Sequence, residues 1–272
     1  EKLMKRENNG VVSKIASTLV DMLFVPKCAS CFTALPDSGQ TLCAHCRKRY
    51  TAERGAYCHV CKKPHIYCDC RIHYHGFSYP MIHVTSYSIT RESVSRNLVL
   101  HIKDDRLDRA FDFIAREMCD AFNTRARADM SAAIGRWRAE DTRITWIPRS
   151  EKAKRKAGHD QSRELALRIG KMLRTPALPV FYNRGRSSQK SLNRDDRLKN
   201  AEESFLIVAE KTDIAGKNII LIDDIVTSGS SLGVCAFKLK AAGAANVLTL
   251  VYAKTDRRKG LEEETFAFYT DH

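Results

Sequence analysis

Apolar positions along this chain fall into unbroken runs and helical spacings, and the places where one gives way to the other mark its elements. Asn218 to Ser231 reads NIILIDDIVTSGSS, in which the apolar run Ile219 to Ile222 ends in two acids and a loop of small residues. A run without alternation predicts a strand buried on both faces, as in the middle of a parallel sheet. Leu232, Cys235, Ala236 and Leu239 then recur at helical spacing from Ser230 to Ala242, with Gly243 placed to stop the helix. Apolar segments near Ile144, Val180, Phe205 and Val247 predict further strands, Val84 to Ile89 another, and Leu98 to Phe122 is helical in pattern. Strands interleaved with helices make an α/β layer fold with a parallel sheet and flanking helices. Arg125 to Asp141 is polar and Ala-rich, predicting a loop with a helical piece. Val12, Ile15, Leu19, Met22 and Leu23 give residues 1–26 the spacing of a short amphipathic helix, expected to pack on the body rather than on a membrane.

Composition narrows the class. With 272 residues, 43% hydrophobic and 29% charged, the chain has material for one large or two smaller folded units. The longest apolar candidate, Ile15 to Val25, is interrupted by Ser17, Thr18 and Asp21, too short and too polar for a membrane-spanning helix. Nothing has the layout of a secretory signal, so a cytoplasmic location without membrane insertion is expected. The net charge of +14 is uneven: Arg149 to Lys199 holds 15 Lys/Arg against 5 Asp/Glu. Such an excess calls for an anionic partner such as nucleic acid, nucleotide or phosphorylated metabolite, although a solvated basic face is the ordinary fate of Lys152, Lys171 and Arg174.

Eight of the ten cysteines lie between Cys28 and Cys70. Cys28/Cys31 and Cys43/Cys46 are paired CxxC turns with the spacing of a four-cysteine zinc ribbon; each turn aims two thiolates at one point, and four protein ligands leave no open position for catalysis. Structural zinc is therefore expected. A second set, Cys58, Cys61, Cys68 and Cys70, closes with a tighter CxC; His59, His65, His73 or His75 could replace one thiol, or the two sets could exchange partners. Disulfides are the competing use, disfavoured by the CxxC spacing and the expected compartment.

The stretch after the buried run carries the second chemistry. In open α/β sheets ligands bind beyond the carboxyl ends of strands, and a small-residue loop opening a helix offers N–H groups and the positive end of the dipole to phosphate. Gly229 permits close backbone approach. The loop lacks both a Walker A lysine and a GxGxxG pattern, so neither standard nucleotide motif accounts for it.

This acid pair and loop closely resemble the signature of type I phosphoribosyltransferases. The resemblance implies that Asp223 and Asp224 hold the ribose hydroxyls of phosphoribosyl pyrophosphate, bound with Mg²⁺. It also implies that Thr227, Ser228, Gly229, Ser230 and Ser231 cup the 5′-phosphate. Other blocks agree: Trp146-Ile147-Pro148 at a strand end, KRKAGHDQ from Lys154 to Gln161, and Arg184, Gln189, Leu192, Arg197, Asn200 and Phe205 beyond. With the N-terminal cysteines, the chain from Cys28 to about Val251 resembles the ComF family, bacterial competence-associated phosphoribosyltransferase-like proteins that carry a zinc module ahead of the transferase fold. Ala157, His159 and Asp160 stand where that family has Arg, Phe and Asn around the glycine, and Lys103 in HIKDDR occupies the place of a basic residue common there. Transfer from such a donor expels pyrophosphate, which basic groups must neutralise, and Arg155 and Arg184 are the candidates, with Arg186 and Arg197 on a segment able to close as a lid. The family's association with natural transformation implies single-stranded DNA and competence proteins as partners, although no aromatics interleave with the basic run to form a stacking platform. The expected organisation is an amphipathic helix at 1–26, a double zinc-ribbon module at 27–78 and a transferase-like domain at 79–272.

Overall fold

The computed structural model describes residues 25–88, 90–105, 107–128, 137–185 and 202–255. The expected N-terminal helix and the lid arginines Arg186 and Arg197 lie outside these residues.

Four parallel strands form the centre: β2 (Phe77–Tyr87), β3 (Thr142–Trp146), β6 (Asn218–Val226) and β7 (Asn246–Thr255), with β1 (Arg71–Tyr74) antiparallel at one edge. Their order is β1-β2-β7-β6-β3. Ile219 to Ile222 in β6 are each 1% exposed or less, as the unbroken apolar run requires for a strand covered on both faces. Because side chains alternate, Ile220 and Ile222 enter one core and Ile219 and Leu221 the other. The first core holds α1 (Ala44–Gly55), α2 (Val94–Leu100), α3 (Asp108–Ala128) and α5 (Gln161–Leu173); the second holds α6 (Ser230–Ala241). Between β3 and α5 lies the short α4 (Glu151–Ala157). In α6, Gly233 lets β1 come close, since a Cβ there would stand 3.0 Å from that of Tyr74.

The structure sharpens two sequence expectations and corrects a third. The stretch from Leu98 to Phe122 is two helices, α2 and α3, separated by a π-type turn at His101–Asp105. Within it the His101 and Lys103 side chains interrupt the apolar spacing and reach partners outside the helix. The segments near Val180 and Phe205 form a separate antiparallel pair, β4 (Phe181–Asn183) and β5 (Phe205–Ile207), rather than joining the main sheet. β6 extends beyond the apolar run, through the acid pair to Val226, because Ile225 and Val226 pair with Ala253 and Lys254 of β7. Among the described residues no helix is long and apolar enough to cross a membrane.

Candidate functional site

β6 delivers Asp223 and Asp224 to the carboxyl end of the sheet, and the chain then turns through Thr227 to Gly229 into α6. Gly229 sits at φ 74°, a left-handed conformation that only glycine adopts freely. The Ser228 hydroxyl accepts from the Ser230 amide at 3.4 Å. Asp223, Ile225, Val226 and the loop from Thr227 to Leu232 line a hollow of about 100 Å³. A second hollow of about 390 Å³ shares Ser231 and is bounded by Ile147, Arg149, Ser150, Asn183 and Ser204.

Three elements reach the acid pair. Ser162, in the first turn of α5, donates to Asp223 Oδ1 at 2.9 Å. Gln161 donates its Nε2 to Asp224 Oδ2 at 3.3 Å, while its buried Oε1 has no hydrogen-bond partner among the described residues. Lys103, from the π-type turn, places Nζ 3.1 Å from Asp224 Oδ2. Asp160 caps α5 and also accepts from the Arg149 amide at 3.0 Å, tying the loop after β3 to the same corner. Burial, reinforced by the neighbouring Asp224 carboxylate, pushes the Asp223 carboxyl well above the usual carboxylate range. Lys103 balances Asp224, and a divalent cation or a ligand's hydroxyls at this corner would favour the ionised form of Asp223 that burial opposes.

The cysteines fall into two sequential tetrads, Cys28/Cys31/Cys43/Cys46 and Cys58/Cys61/Cys68/Cys70, with the sulfurs of each within 4.8 Å of one another. No partner is exchanged between the sets, and no histidine enters either. Sulfur separations are 3.8 Å for Cys31–Cys43, 3.8 Å for Cys58–Cys70 and 3.5 Å for Cys61–Cys68. A tetrahedral ion with Zn–S of about 2.3 Å spaces its ligands about 3.8 Å apart, whereas a disulfide needs about 2.05 Å. The thiols are free, and each tetrad has the geometry of a four-thiolate zinc site. Cys43 caps α1 and accepts from the Cys46 amide at 3.4 Å, so the start of the helix fixes the place of its sulfur.

Some residues singled out in the sequence come together here and others do not. Asp223, Thr227, Ser228, Gly229, Ser230 and Ser231 line one continuous hollow, while the buried Asp224 stands behind it against Lys103 and Gln161. Arg155 is exposed on α4, and Arg184 is exposed after β4, its amide donating to the Ser204 carbonyl at 2.9 Å; neither lines the two hollows. Lys103, for which a surface role is the ordinary expectation, is the cation that reaches the acid pair. The roles of Ser162 and Arg149 were not marked by local pattern: their partners lie 61 and 11 residues away.

No protein-family model and no curated protein sequence matches the chain. Among solved structures it is similar to a hypoxanthine-guanine phosphoribosyltransferase from Bacillus anthracis, with 14% identity over 58% of this chain and 79% of that one and a TM-score of 0.35. It is also similar to a hypoxanthine phosphoribosyltransferase from Staphylococcus aureus, with 11% identity over 57% of this chain and 71% of that one and a TM-score of 0.34. A third is the allosteric regulatory enzyme of purine biosynthesis, 15% identical over 50% of this chain and 26% of that one with a TM-score of 0.29, so that the chain spans about a quarter of its length. The fold is a mixed α/β fold with a parallel sheet, carrying two cysteine tetrads at its N-terminal end.

Proposed function

We propose that this chain is a phosphoribosyltransferase-like protein of the ComF kind that binds phosphoribosyl pyrophosphate with Mg²⁺. The observation that supports this most is the acid pair at the carboxyl end of β6, running directly into a hydroxyl-rich loop that opens α6 around a hollow. Asp223 and Asp224 hold the ribose hydroxyls, and the loop from Thr227 to Ser231 takes the 5′-phosphate. Mg²⁺ supplies charge neutralisation to the pyrophosphate end of the donor. Lys103 offsets part of the acid pair's charge, Ser162 and Gln161 fix the two carboxylates, and Arg155 and Arg184 serve the leaving group. In transfer, a bond forms from an acceptor nitrogen to the ribose anomeric carbon as the bond to pyrophosphate breaks, and pyrophosphate leaves with the electron pair. We assign residues 27–78 to a zinc module and 79–272 to the transferase-like part, a boundary that falls within β2.

Pyrophosphate release from the Mg²⁺-bound donor across a panel of nucleobases tests this reading, with Asp223→Asn/Asp224→Asn as control. Base-dependent release lost in the double variant establishes a transferase; donor binding without release makes the site a ligand sensor. Absence of donor binding overturns the reading.

A second reading, a cytoplasmic accessory of DNA uptake that binds single strands, draws on Lys154, Arg155 and Lys156 of α4, the last two of them exposed. It requires affinity for single-stranded DNA that falls steeply with salt and drops when these three are neutralised.

A further inference from the structure

Lys103 reaches Asp224 from a turn whose three successive residues are each held from a different direction. Lys103 itself pairs with Asp224 at 3.1 Å. The carbonyl of Ile102 accepts from Nε2 of the buried His159 at 2.5 Å, fixing the turn against the loop that leads into α5. His101 donates its Nδ1 proton to the carbonyl of Ala29 at 2.7 Å, and its ring lies against Phe32 with centroids 4.5 Å apart. Ala29 is inside the first knuckle, between Cys28 and Cys31, and is itself wholly buried, its amide donating to the Thr41 carbonyl at 2.8 Å. The knuckle backbone that the first tetrad closes therefore grips the turn two residues before the lysine of the candidate site.

A second contact joins the same module to the start of that segment. Glu53, on α1, accepts from the Val94 and Ser95 amides at 2.8 and 2.9 Å and from the Ser95 hydroxyl at 2.6 Å. It thereby satisfies the open N–H groups at the start of α2, the helix that runs into the π-type turn. Wide π-type turns are poorly held by their own hydrogen bonds and recur at functional sites, so the position of this one is set by its partners.

We propose that His101 is a positioning residue through which the first cysteine tetrad holds Lys103 at the acid pair, coupling metal occupancy of that tetrad to donor binding. The proposal rests on the donor-site reading given above and adds to it which part of the molecule controls the site. The contacts form one continuous chain: first tetrad, Ala29 carbonyl, His101, the turn, Lys103, Asp224. The second tetrad has no equivalent connection among the described residues. Its contacts to the sheet run through β1, the 3-10 turn at His65–Tyr67 and Lys254.

The test is calorimetric titration of phosphoribosyl pyrophosphate with Mg²⁺ into the full-length, zinc-loaded protein and its His101→Ala, His101→Asn and Lys103→Met variants, with zinc content and melting temperature measured on each. His101→Ala should weaken donor affinity about tenfold, whereas His101→Asn, whose amide can still donate to the Ala29 carbonyl, should stay within about threefold of the parent. In the Lys103→Met background, His101→Ala should add less than about twofold, because the two residues act in series. Equal affinity for parent and His101→Ala, or effects that simply add, overturns the coupling while leaving the donor site standing. A parent protein that does not bind the donor overturns both. If His101→Ala does not fold, Phe32→Ala removes the ring contact on the same histidine and should weaken affinity in the same direction; unchanged affinity then counts against the proposal.

Discussion

The two cysteine tetrads begin with the same turn. Lys27 bridges Ala34 around Cys28 and Cys31, and Tyr57 bridges Pro64 around Cys58 and Cys61; each knuckle carries a side-chain-bearing residue at positive φ, Phe32 at 60° and Lys62 at 58°. They differ in how they close and in what surrounds them. The first closes on a helix N-terminus and keeps Cys31 exposed. The second closes on the entry to β1, with three of its four cysteines buried and Lys254 of β7 donating to Cys58 and Cys70 at 3.4 and 3.2 Å. Burial alone would lower the affinity of Lys254 for its proton, but Cys70, Cys58 and Cys68 hold it above the ordinary lysine value. A buried cation against a tetrathiolate offsets charge that would otherwise be costly inside a core. The second tetrad is thus built into the sheet, continuing the cover of the β2 edge where β1 stops, and the first is built onto the π-type turn beside the acid pair. One knuckle design serves scaffold in one place and site positioning in the other.

The largest expected effect would separate these roles outright. Cys58→Ser should remove the second metal site and with it the cooperative fold, since structural zinc contributes on the order of 10 kcal/mol in small modules. Cys31→Ser should keep the sheet folded, lose one zinc equivalent and weaken donor affinity. Circular dichroism melts with metal analysis check both, and equal melting temperatures for the two variants would break the comparison. Lys254→Met comes next: it leaves the second tetrad's charge uncompensated and should cost about 3 kcal/mol of stability, without changing donor affinity in the protein that remains folded.

Two smaller effects sharpen the comparison from the site's side, because both should leave both zinc equivalents in place. The Asp223 carboxyl holds its proton above the usual range, so below that shifted value Mg²⁺-dependent donor affinity should fall by about tenfold per pH unit for a one-proton competition. The sign for stability is opposite: as pH rises through the shifted range, the unliganded fold gives up the proton and loses stability. Asp223→Asn should flatten both profiles. Ser162→Ala, which removes the 2.9 Å hydrogen bond to Asp223, should weaken donor affinity by about fivefold, the equivalent of roughly 1 kcal/mol; a larger loss would mean that α5 itself has moved.

What could be read in the sequence was the chemistry that is local along the chain. The CxxC turns, the acid pair and the loop to Ser231 each lie within a short stretch, and backbone geometry carries such residues to one point wherever the stretch is placed. The pairing of the second tetrad was not readable, because Cys70 is committed by its place at the start of β1. Lys103, whose partner lies 121 positions further on, is chemically an ordinary polar lysine until β6 is beside it. His101 and Ala29 are 72 residues apart and Lys254 and Cys70 184 apart, and nothing in the residue types announces either contact. The helical pattern from Leu98 to Phe122 was legible but its break was not: apolar spacing sees Leu98 and Phe111 on either side but not the turn between them.

The most direct measurement is the time course of zinc release to a chelating dye, with and without Mg²⁺ and phosphoribosyl pyrophosphate. Two phases of one equivalent each are expected, a fast one lost in Cys31→Ser and a slow one unaffected by ligand, with the donor slowing only the fast phase because coupling between sites is reciprocal. A single phase of two equivalents, or equal slowing of both, would contradict the division of labour between the tetrads.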